Sequence, residues 1–127
     1  DKFIGDAVLA VFTGVKMADN AVKCAIKIQM EIKKLNKTLG KNTMIGIGID
    51  TGPIIMGAMG SKDRMDFTVI GDHVNTSSRL CDTASPGEII ISENTEKLLS
   101  DTNFQLKKLD PIQVKGKEKP IQIYRVK

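Results

Sequence analysis

The apolar positions along this chain change period from segment to segment, and each change predicts an element. Lys2-Phe3-Ile4 and the run from Ala7 to Phe12 are β-tolerant stretches split by Gly5-Asp6. A Gly-Asp pair between two such runs closes a tight hairpin. From Met17 to Leu39 the spacing shifts to threes and fours, through Ala18, Ala21, Ala25, Ile28, Ile32, Leu35 and Leu39. That is one face of a long amphipathic helix. Asp19 in its first turn and Lys33, Lys34 and Lys37 near its end suit the helix dipole, and Gly40 fits its C-terminal cap.

Alternation returns in TMIGIGIDTG. Ile45, Ile47 and Ile49 share one side of a strand, and Met44, Gly46, Gly48 and Asp50 the other. Glycines on one face leave it flat, so a neighbour can approach the backbone closely. Gly52-Pro53 ends that strand, and Ile54 to Ser61, with Gly57 and Gly60, fits no element clearly. Arg64 to Ile70 alternates as a strand, and Gly71-Asp72 opens a second helix to about Ala84, which Ser85-Pro86-Gly87 breaks. Glu88 to Ile91 is a short apolar strand, and Ser92 caps a helix through Leu99. Phe104 to Leu109 and Pro111 to Val114 are weaker strands, and Ile121 to Val126 is a stronger one. Strands interleaved with helices predict one α/β (α+β) domain over residues 1–127, with helices packed on a sheet.

Composition narrows the class. The chain has 127 residues, 41% hydrophobic and 27% charged, which suits a soluble globular domain rather than a disordered one. No apolar run approaches the roughly 20 residues of a membrane-spanning helix. Charges at Asp1, Lys2 and Asp6 interrupt the opening residues, which do not read as a signal peptide. Cys24 and Cys81 stand far apart beside a single His, which argues against zinc and for two free thiols. The net charge of +4 comes mostly from lysines, and aromatics are only 4%, too few for base stacking. No nucleic-acid partner is therefore expected.

Three places carry candidate chemistry. Asp6, at the hairpin tip, either makes the turn or offers a carboxylate to a hard cation such as Mg²⁺. Asp72, Asn75 and Arg79, three and four apart, project from one side of the second helix. They form either an ordinary wet face, with Asp72 as cap, or a nucleotide site. In the second case Arg79 would meet phosphate oxygens and Asn75 would donate to a ribose. In Gln113-Val114-Lys115-Gly116-Lys117 the lysines serve a turn or hold a polyphosphate. No GxxxxGK followed by Ser or Thr occurs, so a P-loop is excluded. His73 has no nucleophile arranged beside it, so a triad is not expected.

Taken in order, KFIGDAVLAVF, IGIDTGPIIMG, MDFTVIGDHVNTSSRL, PGEIIIS and QVKGKEKPIQIYRV resemble the catalytic domain of class III nucleotidyl cyclases, the adenylate and guanylate cyclases. The likeness runs through essentially the whole chain. It implies a ferredoxin-like, mostly antiparallel fold and the conversion of ATP to cyclic AMP and pyrophosphate. The ribose 3′-oxygen would attack in line between two Mg²⁺ (or Mn²⁺) ions. By motif position, Asp6 resembles a metal aspartate. Lys2 and Thr68 resemble the purine-reading pair, Asn75 the ribose-orienting residue, Arg79 the phosphate-stabilising one and Lys115 the terminal-phosphate lysine. The resemblance also implies a homodimer with sites at the subunit interface. The glycine face of Gly46 and Gly48 is expected to suit that approach.

Thr68 stands where Asp is commonest, as in the subgroup of bicarbonate-responsive soluble and cyanobacterial adenylate cyclases. Lys2 with Thr68 implies ATP over GTP. The family's first strand, with its other metal aspartate, and the helices after it would precede Asp1, so this chain by itself is expected to show little turnover. A cytoplasmic domain without direct membrane contact is expected, whether or not the parent protein is anchored. The competing readings are a guanylate cyclase, a non-catalytic cyclase-like dimerisation or regulatory domain, and an unrelated ferredoxin-like binding module for RNA or phosphate. The joint presence of Lys2, Asp6, Asn75, Arg79 and Lys115 favours the enzyme.

Overall fold

The computed structural model describes the chain apart from residues 1, 5, 62, 63 and 102, and gives no side chains at 2–4, 58–61 and 64–68. The organising segment is β6 (Ile89–Ser92), in which every residue is buried. Ile89 and Ile91 join Val22 and Ala25 of helix α1 (Met17–Leu39) in one core cluster. Ile90 joins Leu80 of helix α2 (Asp72–Thr83) in another. Successive strand residues point to opposite faces, so the two helices cover opposite faces of one sheet. This is why the sequence here is a continuous apolar run with no polar alternation. Each isoleucine so buried is worth about 1.5–3 kcal/mol.

Around β6 the order is β3-β6-β8-β7, where β3 is Ile47–Ile49, β7 Leu106–Lys108 and β8 Ile123–Val126. β3 runs parallel to β6, and β8 is antiparallel to both β6 and β7. Two hairpins complete the described strands. β1 (Lys2–Ile4) pairs with β2 (Ala7–Leu9) as Ile4↔Ala7, the tight hairpin expected around Gly5-Asp6. β4 (Ile55–Ser61) pairs with β5 (Arg64–Ile70) in register from Ile55↔Ile70 to Ser61↔Arg64. The mixed, mostly antiparallel architecture is therefore as expected.

Several elements differ in extent. Ile54 to Ser61, which fits no element by pattern, forms β4 because β5 supplies a partner along its length. Pro111 to Val114 is no strand. Its contribution is the isolated bridge Ile112↔Ile121. The strand through TMIGIGIDTG is short, and β8 begins at Ile123. Helix α1 ends as expected at Gly40, whose φ of 63° is the left-handed region glycine tolerates. Helix α3 (Glu93–Leu98) starts at Ser92, whose Oγ accepts from the Thr95 amide at 3.3 Å. Asp19 does more than sit in a first turn. It is buried, and its carboxylate accepts from the Ser100 hydroxyl and the amides of Ser100 and Asp101. These bonds, the Ser100 hydroxyl foremost, hold the carboxyl below the usual aspartate range.

Candidate active site

Helix α2 is the base of the site, and glycines set its position. A Cβ at Gly48 would fall on the Cys81 amide nitrogen and within 2.5 Å of the Ser77 carbonyl oxygen. At Gly46 it would stand 3.0 Å from the Ala84 side chain. Only bare backbone lets the helix lie this close to β3. The flat face is thus filled by the chain's own helix. The expectation that it receives a second subunit is corrected, because the space a partner would need is already taken. Cys81 Sγ donates to the Gly46 carbonyl at 3.4 Å across the same seam. Burial pushes its thiol up, with smaller pushes from Asp82 and Asp6.

With Thr76 and Leu80 turned into the core, helical spacing puts Asn75 and Arg79 on the exposed side. Asp6 is exposed at the hairpin end, and its charge adds a small upward push on the Cys81 thiol. Lys115 is exposed in a turn anchored by buried Val114, closed by Lys117 N–H to Val114 O at 3.1 Å. Gln113 Nε2 donates to the Lys117 carbonyl across it. Asp6, Asn75, Arg79 and Lys115 are free of hydrogen bonds and ion pairs to one another among the described residues. The backbones of Lys2 and Thr68 lie in β1 and β5, while their side chains lie outside the described set. Asp72 does not cap the helix. The cap position is Gly71, which has no side chain to offer.

The structure also holds a largely buried polar chain. Asp50, 1% exposed at the side chain, pairs through Oδ2 with His73 Nδ1 at 2.7 Å. Its Oδ1 accepts from Ser92 Oγ at 2.6 Å. Ser92 Oγ is 3.3 Å from Thr95 Oγ1, which is 2.8 Å from Thr51 Oγ1. A carboxylate only accepts, so His73 donates from Nδ1 and its Nε2 faces away from Asp50. Asp50 borders two cavities. One, of about 100 Å³, lies against Leu9, Phe12, His73 and Ser77. The other, of about 160 Å³, lies against Glu93, Gln122 and the buried hydroxyl of Thr76. Neither is lined by Asp6, Asn75, Arg79 or Lys115.

The adenylate and guanylate cyclase catalytic-domain model matches residues 2–127. The chain belongs to that family. An adenylate cyclase of Anabaena cylindrica is 39% identical over the whole chain, which spans 28% of that protein's length. The adenylyl cyclase CyaB of P. aeruginosa shares 35% identity and superposes with a TM-score of 0.85, over 99% of this chain and 69% of that one. The guanylate cyclase domain of RhGC from Catenaria anguillulae, solved with GTP, shares 32% identity at a TM-score of 0.78, over 97% and 63%. This is a nucleotidyl cyclase domain with relatives of both nucleotide preferences. Among its described residues no helix is long and apolar enough to cross a membrane.

The Asp50–His73 pair escapes a reading by motif, since the two residues stand 23 positions apart in sequence. Alternation carried a signal. Asp50 continues the glycine face of β3, and that face looks at α2.

Proposed function

We propose that this cyclase domain converts ATP to cyclic AMP and pyrophosphate, with Asn75 and Arg79 acting on the reacting groups. The observation that carries this is their placement. Both project from the exposed side of a helix that glycines fix against the sheet. Preorganised donors stabilise developing charge because they need not reorganise during the reaction. Asn75 donates to the ribose and holds the 3′-oxygen toward the α-phosphorus. Arg79 meets the equatorial phosphate oxygens as their charge grows. Lys115, on its anchored turn, holds the terminal phosphates.

Asp6 fits a divalent ion as one contributor. Mg²⁺ typically binds through one or two carboxylates together with substrate phosphates and water, and Asp6 is an exposed carboxylate without a competing partner among the described residues. No cluster of three His, Cys, Asp or Glu side chains occurs among the described residues, and in this proposal substrate phosphates and water supply further ligands. Such ions, two in the complete site, would neutralise phosphate charge and lower the pKa of the attacking hydroxyl. Mg²⁺ and Mn²⁺ both suit this oxygen chemistry.

ATP is favoured over GTP by Lys2 and Thr68, which stand at the two purine-reading positions of the family pattern. A homodimer with sites between subunits belongs to the same reading. The test is cyclic nucleotide formation by the full-length protein with ATP and GTP, each with Mg²⁺ or Mn²⁺. Cyclic AMP should dominate, and Asn75→Ala or Arg79→Ala should lower kcat about 100-fold or more with KM within a few-fold. A preference for GTP would move the assignment to guanylate cyclase. No turnover from either nucleotide would leave a regulatory domain, and an unchanged kcat in the variants would remove the roles of Asn75 and Arg79.

A further inference from the structure

The contacts that hold α2 to β3 and to Asp50 just beyond it differ in kind along the helix. Near its C-terminal end the helix rests on the bare backbone of Gly46 and Gly48. Near its N-terminal end the contact is a side-chain hydrogen bond. The helix starts at Gly71 without a side-chain cap, and its first described backbone bonds, Val74 and Asn75 N–H to Gly71 O, are 3.1 and 3.3 Å long. Here the lateral fastening is His73 Nδ1 to Asp50 Oδ2. The ring also lies over Gly52, where any Cβ would collide with it.

We propose that His73, held by Asp50, is a positioning residue that fixes the face of α2 carrying Asn75 and Arg79. Asp50 suits this role because it cannot turn. Ser92 occupies its other oxygen, and Ser92 in turn is the cap of α3 and part of buried β6. The histidine is therefore tied through one carboxylate to the most buried strand of the sheet. His73 lies two residues before Asn75 and six before Arg79, so a rotation of the first turn carries both. This rests on the cyclase reading for its catalytic consequence, and on geometry alone for the fastening.

The experiment has two readouts. In the 127-residue chain, amide hydrogen exchange compares wild type with His73→Ala and His73→Asn. Asn places a donor nitrogen where Nδ1 stands and can keep the bond to Asp50. His73→Ala should speed exchange at Asn75 to Arg79 roughly tenfold, leave β6 and β8 unchanged, and be reversed largely by His73→Asn. In the full-length protein, His73→Ala should lower kcat roughly 10- to 100-fold with KM nearly constant. That loss should shrink several-fold in an Arg79→Ala background, since a misplaced group already removed cannot be misplaced again. A merely structural role would instead reduce both backgrounds equally and loosen β6 and β8 with α2. Unchanged exchange in α2 overturns the proposal, whatever the turnover. A wild type that makes no cyclic nucleotide, yet shows the exchange change, overturns the cyclase reading and leaves the fastening in place.

Discussion

Helices α1 and α2 lie on opposite faces of the same sheet and are held in opposite ways. Helix α1 has 23 residues, yet its buried positions stop at Ala25. Ile28, Met30, Leu35 and Leu39 are exposed, with Leu39 at 60%. Helix α2 has 12 residues and meets β3 over two turns with backbone against backbone. The difference is geometric. The 23-residue α1 extends about 34 Å at 1.5 Å per residue. A four-residue strand spans only about 13 Å. Helix α1 therefore outruns the sheet by far more than α2, which at 12 residues extends about 18 Å. A long amphipathic stripe shows which face a helix prefers, and the strand beneath decides how much of that face is covered.

The comparison breaks most severely at Gly48. Gly48→Ala puts a methyl group on the Cys81 amide and the Ser77 carbonyl, neither of which is a flexible side-chain tip. Helix α2 must lift or the chain must unfold, at a cost of about 3 kcal/mol. A urea titration measures it. Gly57→Ala is the control, since a Cβ there meets nothing within 4 Å. Equal midpoints for the two variants would show that α2 does not depend on the close seat.

For α1 the corresponding anchor is Asp19, and its expected effect is smaller and depends on pH. Its folded carboxyl titrates below the usual aspartate range, chiefly because the Ser100 hydroxyl donates to it. A depressed folded pKa means a stabilising contribution that is complete above the unfolded pKa. It is lost as the pH falls through the folded value. Asp19→Asn should therefore lower the melting temperature at neutral pH. The gap from wild type should close as the solution is acidified below the carboxylate range. A gap independent of pH would mean that Asp19 serves packing and not charge.

Sequence carried the element order well because each element has its own period. Helix α1 matches its predicted bounds, and α2 does so within a residue. Of the candidate residues, Asn75 and Arg79 follow helical spacing, and the structure leaves both exposed on α2. What lay beyond reach depends on contacts between segments distant in the chain. The glycine face of β3 promised a close neighbour without saying which, and the neighbour is α2. The strand β4 needed β5 to be seen. Asp50, His73 and Ser92 come from three segments distant in the chain, so no local pattern joins them.

The smallest expected effect tests the outer half of α1. Leu35 continues the apolar spacing that begins at Ala18, so a reading by period places it in the core. The structure leaves it 56% exposed, past the end of the strands that bury Val22 and Ala25. Truncating a side chain that solvent already reaches removes little transfer energy and opens no cavity. Leu35→Ala should therefore change stability by less than about 0.5 kcal/mol. Val22→Ala, fully buried on the same helix, should cost about 1–3 kcal/mol. Both come from one set of urea titrations on the 127-residue chain. A loss at Leu35 equal to that at Val22 would mean that period, not the reach of the sheet, decides what α1 buries.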